Sequence, residues 1–375
     1  MVIKKPPMGW NTWNTFGKNI NEQMVMEMAD AIVEKGYKDA GYEYIIIDDM
    51  WHLPERSDGK QVPNPELFPH GMKYVADYVH SKGLKFGMYS CAGVMTCGKL
   101  PGSYGYEYVD AKQYAQWGVD YLKYDFCYFP KSAKAEMAYT KMSMALRNCG
   151  RDILFAACNW GEQEPHLWMR SRGVHSYRST CDIADNTESF ASIFESQLEK
   201  ISLSGGGFYN DMDMLTVGMR NNGLVALGGC SDKEYQLQFA AWAFMGSPLI
   251  IGGDVRNMSD FDREILQNKR LIAINQDSEA LPPYLIGRDG ASPRQFALAR
   301  MLSGGRIALG LFNISEKIWW QSGVVFEDIG IPADSGIKLK LTDAMTGEEL
   351  GVYENCYESQ LQSMEFKVLI GEIVQ

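Results

Sequence analysis

Eight short β-rich runs are interleaved with helix-like text before the chain changes character. That alternation narrows the fold to a parallel sheet covered by helices. The runs are PMGWNTW (7–13), YEYIIID (43–49), LKFGMYS (84–90), YLKYDF (121–126), ILFAAC (153–158), VHSYRS (174–179), GGFYND (206–211) and SPLIIGGD (247–254). Helical patterns lie between them at 21–41, 72–83, 108–118, 135–150, 188–203 and 232–245, each ending in Gly or a polar turn. Eight strands in about 280 residues predict a (β/α)8 TIM barrel. The competitor is a doubly wound open sheet. Its dinucleotide-binding form loses support because no GxGxxG follows the first strand.

From the Pro-rich ALPPYL (280–285) onward the text changes. RQFALARML, GRIALGLFNIS, KIWWQSGVVF, GIKLKLTDA and MEFKVLIGEIV are short alternating segments separated by polar turns. They predict an antiparallel β-sandwich over 284–375, after a catalytic barrel over 1–283. Exposed sandwich faces would let copies of the chain pair as a homo-oligomer. A net charge of −11 disfavours nucleic acid and anionic membrane as partners. No run of about 18 apolar residues is present, so no spanning helix is expected. The opening MVIKKPPMGW has no apolar stretch after its lysines, which makes a cytoplasmic location the expectation. Eight cysteines without a CxxC pair read as reduced core residues, and zinc is not expected.

In a barrel of this kind chemistry sits where the strands finish. Trp13 follows the first run; Asp48, Asp49 and Trp51 follow the second, and Tyr89 the third. Lys123, Asp125 and Cys127 end the fourth, and Asn159 and Trp160 the fifth. Arg178 and Asp182 follow the sixth, Asp211 and Asp213 the seventh, and Asp254 and Arg256 the eighth. Taken singly, each has a structural alternative: Asp48 as a helix cap, Lys123 with Asp125 or Arg178 with Asp182 as ion pairs. Taken together, carboxylates and aromatic rings converging on one mouth suit a polyhydroxylated ring. Carboxylates accept its hydroxyl protons and an aromatic face covers its CH side. Trp168, Trp242, Trp319 and Trp320 follow no barrel strand and are assigned to packing. A metal-dependent hydrolase would recruit imidazoles, and of five histidines only His175 lies near a strand end. Neither metal nor cofactor is therefore expected.

PPMGWNTW, YIIIDDMW, GLKFGMYS, YLKYDFCY, YRSTCDI, NDMDML and IAINQD together resemble glycoside hydrolase family 27, the retaining α-galactosidases and α-N-acetylgalactosaminidases. The resemblance spans residues 6 to about 280 and implies a (β/α)8 barrel followed by an antiparallel β domain. It implies that Asp125 is the nucleophile and Asp182 the acid/base. Asp48 and Asp49 would hold the O4 and O6 region of the sugar, with Trp13 against the ring. Tyr89, Lys123, Cys127, Trp160, Arg178 and Asp213 would complete the pocket. It also places a disulfide at Cys97 and Cys127, whereas a reducing compartment would leave both as thiols. Chemistry agrees on the carboxylates, since retention needs one ionised and one protonated. Lys123 shares a strand face with Asp125, and its charge favours the ionised form. The sequence departs from the family at Asn159, where many members carry Glu, and at Met50, where many carry Cys. Asn159 would face the second carbon of the sugar. It can donate and accept, so galactose is favoured over its N-acetylated analogue. The expected activity is therefore an α-galactosidase. The alternatives are an α-N-acetylgalactosaminidase or β-L-arabinopyranosidase and, outside catalysis, an inactive sugar-binding barrel.

Overall fold

Each of the eight expected runs carries a barrel strand, seven of them shorter than their text and the third of equal length but shifted one residue on. They are β1 Met8–Asn11, β2 Tyr44–Ile46, β3 Lys85–Cys91, β4 Tyr121–Asp125, β5 Leu154–Cys158, β6 Ser176–Arg178, β7 Tyr209–Asp211 and β8 Leu249–Ile251. In the computed structural model, which describes residues 3–290 and 292–374, they form one parallel sheet in the order β8-β1-β2-β3-β4-β5-β6-β7. The ring closes beyond β7, where Leu215 makes a single parallel bridge to Ile251. Leu215 N–H donates to the Ile250 carbonyl at 2.8 Å, and Gly252 N–H to the Leu215 carbonyl at 3.0 Å.

Strand parity sorts the side chains into two cores. Tyr44, Ile46, Tyr121, Leu154, Ala156, Tyr209 and Ile250 point inward and plug the barrel. Ile45, Ile47, Phe86, Met88, Leu122, Tyr124 and Phe155 point outward against the helices. The main helices are α1 Glu22–Glu34, α2 Gly71–Ser81, α3 Glu107–Trp117, α4 Ala135–Arg147, α5 Thr187–Gln197 and α6 Asp232–Met245. The helix expected over 21–41 is broken: α1 stops before Gly36, whose φ of 79° is left-handed, and a short turn Tyr37–Ala40 resumes. Ser231 and Glu234 form a capping box at the start of α6. From Leu237 to Met245 that helix is buried on every side.

It is buried all round because a second unit covers it. β9 Tyr284–Asp289, β10 Ser292–Leu302, β11 Arg306–Asn313, β12 Trp319–Val325, β13 Lys338–Asp343, β14 Glu349–Tyr353, β15 Cys356–Leu361 and β16 Glu365–Val374 follow. Six of them form an antiparallel sheet in the order β9-β10-β11-β16-β13-β14, and β12 pairs with β15. Parity again divides the labour. Phe296 and Leu298 of β10 join the barrel-side core, while Ala297 and Ala299 join a second core with Val324, Tyr357 and Leu361. Phe312 meets Phe194 of α5 at 5.0 Å and Phe244 of α6 at 5.7 Å between ring centroids.

One packing assignment is corrected. Trp242 is fully buried, and Trp168 and Trp319 pack on the margins of the two cores. Trp320 is instead 69% exposed. The β12–β15 register shifts between Trp319 and Ser322, and this bulge turns Trp320 outward. Among the described residues no helix is long and apolar enough to cross a membrane.

Candidate active site

The inward rows that begin apolar in the plug end charged at the mouth. Parity carries Ile46 to Asp48, Tyr121 through Lys123 to Asp125, and Tyr209 through Asp211 to Asp213. Register then sets neighbours: Tyr89 lies beside Lys123, Cys91 beside Asp125, and Cys158 beside Arg178, which lies beside Asp211. A narrow pocket opens above the plug, lined in part by Asn11, Lys123, Cys158, Arg178, Asp211 and Asp213.

Lys123 does not form its ion pair with Asp125, its partner in the sequence reading. Its Nζ donates to Asp48 Oδ2 at 2.8 Å, across two strands. Asn11 Nδ2 donates to the same oxygen at 2.8 Å. Burial works to lower the Lys123 pKa, yet Asp48, Cys158 and Asp125 hold it well above the usual lysine range. The second carboxylate of the pair is bound to backbone: Gly98 N–H donates to Asp49 Oδ2 and Met50 N–H to Asp49 Oδ1, both at 2.7 Å. A side chain at Gly98 would run into Met50 Sδ and come 3.0 Å from Asp49 Oδ2.

Asp125 is buried, and Phe126 N–H donates to its Oδ1 at 2.8 Å. Burial pushes its carboxyl up to about 6, opposed by the Lys123 charge and that N–H. Lys123 therefore favours the ionised form through its field rather than by contact. Cys97 and Cys127 are joined as a disulfide, and Cys97 Sγ lies 3.7 Å from Asp125 Oδ2. The three side chains cluster as metal ligands would, but bonded sulfurs are not thiolates.

Across the mouth Arg178 is shared. One guanidinium nitrogen reaches Asp182 Oδ1 at 2.6 Å and Asp213 Oδ2 at 2.8 Å, while Nε donates to Thr180 Oγ1 at 3.0 Å. The two acids differ sharply in setting. The Asp182 side chain is 77% exposed, and Asp213 is buried and receives the Ile183 and Met214 N–H groups. Burial pushes the Asp213 carboxyl up against the pull of Arg178. Tyr89 is buried, its hydroxyl without a partner among the described residues and its ring 5.4 Å from Lys123 Nζ. Trp13 packs on the inward plug, and the Trp160 ring meets Phe126 edge-on at 6.3 Å. Asn159 is fully buried; its Nδ2 donates to the Glu162 carbonyl, and its Oδ1 has no partner among the described residues.

The loops that follow the strands are backbone-strained. Met50 (φ 75°), Tyr128 (φ 49°), Trp160 (φ 56°) and Asp213 (φ 81°) adopt the left-handed region without being glycine. Such residues gather at functional sites, where the surroundings over-determine them. Two expected strand-end residues stand apart from the pocket: Arg256 bonds Asp254 through two nitrogens. His175 lies at the start of β6, at the opposite end from the mouth, and its Nδ1 accepts the Phe155 N–H at 2.9 Å. Asn11 and Thr12, whose Oγ1 accepts the Asp48 N–H at 2.9 Å, are site neighbours that the sequence reading did not name, and Asp211 was placed at a strand end without a role. The signal for Asn11 and Thr12 was the Asn-Thr pair ending the first run. Asp211 was legible as an inward neighbour of Asp213, and it accepts the Asp213 N–H at 2.9 Å.

The chain is similar to known proteins. The family described as alpha galactosidase A matches residues 5–277. Alpha-galactosidase 3 of Arabidopsis thaliana is 45% identical over 313 residues, covering 83% of this chain and 69% of the relative. Alpha-galactosidase A of Cellvibrio japonicus is 47% identical over 287 residues, covering 74% and 68%. Alpha-galactosidase I from Mortierella vinacea superposes with a TM-score of 0.89 at 33% identity, over 98% of this chain and 96% of that one. With a family match across the whole barrel and these identities beyond it, the chain belongs to the alpha galactosidase A family of glycoside hydrolases.

Proposed function

We propose that this chain hydrolyses terminal α-linked galactosyl groups with retention of configuration. Asp125 serves as nucleophile and Asp182 as acid/base. The observation that carries the reading is the contrast between two carboxylates at one mouth. Asp125 is buried under the Lys123 charge, whereas Asp182 stands in solvent on one oxygen's contact with Arg178. In the first step the ionised Asp125 attacks the anomeric carbon while Asp182 protonates the departing oxygen. In the second, Asp182 takes a proton from water, and that water releases the sugar from Asp125. Retention of this kind sets the two carboxyl groups about 5–5.5 Å apart. Asp48 and Asp49 accept hydroxyl protons from the sugar, and Trp13 covers its apolar face. Tyr89, Cys127, Trp160 and Asp213 line the remainder. The free Asn159 Oδ1 is an acceptor for the hydroxyl proton at the second carbon.

The test uses the leaving group. A sugar alcohol needs a proton to depart, and nitrophenolate does not. Asp182→Ala should slow melibiose hydrolysis more than glycosylation by nitrophenyl α-galactoside, by about 10²–10⁴-fold. A burst of nitrophenol should precede the steady state. Equal losses on both substrates without a burst would assign the proton elsewhere.

A further inference from the structure

Among the described residues, Trp320 is the most exposed large apolar side chain. Single exposed hydrophobes are ordinary, but this one stands over a groove of about 410 Å³ on the two-stranded β12–β15 pair. Its setting is built rather than incidental. The shift of register between Trp319 and Ser322 re-aims the indole away from the core that Trp319 joins. Bulges serve this purpose at binding sites. Three residues after Trp320, Gly323 leaves the floor of the groove without a side chain, and Val325 beyond it is 53% exposed. Gln321 and Glu358 border the groove with an amide and a carboxylate. Ser322 also lines it; its hydroxyl is buried and has no partner among the described residues.

An aromatic face beside amide and carboxylate groups matches a neutral sugar. The indole covers the CH side of a ring, and the polar groups meet its hydroxyls. The volume lies within the range of small-ligand sites and is too small for a globular partner. We infer that the β12–β15 groove, with Trp320 as its platform, is a carbohydrate-binding site separate from the barrel mouth. Its ligand is a neutral saccharide chain of the kind that carries the galactosyl groups the barrel removes. The choice of ligand rests on the galactosidase reading; the site itself does not. Holding a polymer there raises the local concentration of its side groups around the enzyme.

Affinity electrophoresis of the full chain in gels containing soluble galactomannan tests this, with galactose present to occupy the barrel mouth. The parent should be retarded. Trp320→Ala should lose most of that retardation, and Gln321→Ala part of it, with thermal melting unchanged. The KM on galactomannan should rise about fivefold or more in Trp320→Ala, with kcat/KM on nitrophenyl α-galactoside unchanged. Equal retardation of parent and Trp320→Ala overturns the site. So does a parent that sediments as a dimer and a Trp320→Ala that sediments as a monomer, because the groove would then face a second copy. Retardation of a parent that does not cleave nitrophenyl α-galactoside would instead fail the galactosidase reading and leave the site standing.

Discussion

Asp125 is held in a charge state that folding makes harder to keep. Its carboxyl rises to about 6 because burial outweighs the help from Lys123 and the Phe126 N–H. A raised folded-state value means stability is complete below the usual carboxylate range and declines as pH climbs through about 6. Asp125→Asn removes the charge and keeps the shape. At pH 7 the variant should be more stable than the parent by about 1–3 kcal/mol. The gap should close near pH 4, where both carry a neutral group; thermal melts at the two pH values measure it. A gap of the same size at both would assign the effect to packing. For catalysis the sign is opposite: as the proposed nucleophile, Asp125 must be ionised, so kcat/KM should fall as pH drops below about 6.

The loop between β3 and α3 is tied at several points. Gly98 N–H holds Asp49, Cys97 is bonded to Cys127, and Gly102 sits against the Gly93 carbonyl. Cys97→Ser unties the covalent point. A crosslink over a separation of 30 residues is worth about 3–4 kcal/mol by chain entropy, so the variant should melt earlier. With Gly98 released, Asp49 should lose one of its two backbone donors and KM should rise; steady-state kinetics of the variant check this. An unchanged KM would show that the loop keeps its place without the bond. At this scale the sequence is legible in one dimension only. Parity along a strand identifies Lys123 and Asp125 as sharing a face, because that follows from the pleat. It does not say that Asp48, two strands away, accepts the Lys123 hydrogen bond. That depends on how β2, β3 and β4 stagger, and on Asn11 arriving from β1. The left-handed turns at Met50, Tyr128 and Trp160 carry no glycine to announce them. The break at Gly36 was announced by its glycine, and the helical periodicity on either side obscured it.

Across the whole molecule the six-stranded sheet is a middle layer. One face packs on α5 and α6, and the other on the β12–β15 pair. Arg300 crosses into the barrel, fully desolvated, to donate to the Phe244 carbonyl at 3.1 Å. Phe312 sits among Phe194, Phe244, Phe296 and Phe366, so Phe312→Ala should cost about 3–5 kcal/mol in chemical denaturation. A loss under 1 kcal/mol would mean the two units pack independently. The single bridge at Leu215 bears on the order of assembly. Seven of the eight joints in the ring are made by paired strands, and the eighth is that one residue against Ile251. α6 lies on this joint, with Trp242 Nε1 bonded to the Asp213 carbonyl and Gln238 to Thr216, and the C-terminal sheet presses on its outer side. Joining Met8 to Leu249 requires the ends of the barrel sequence to meet, and α6 acquires its outer cover only when β10 and β11 are in place. Ring closure is thus expected to come late in folding, after the tail has covered α6. In pulse-labelled exchange during refolding, the Leu215 and Gly252 amides should be the last in the barrel to gain protection.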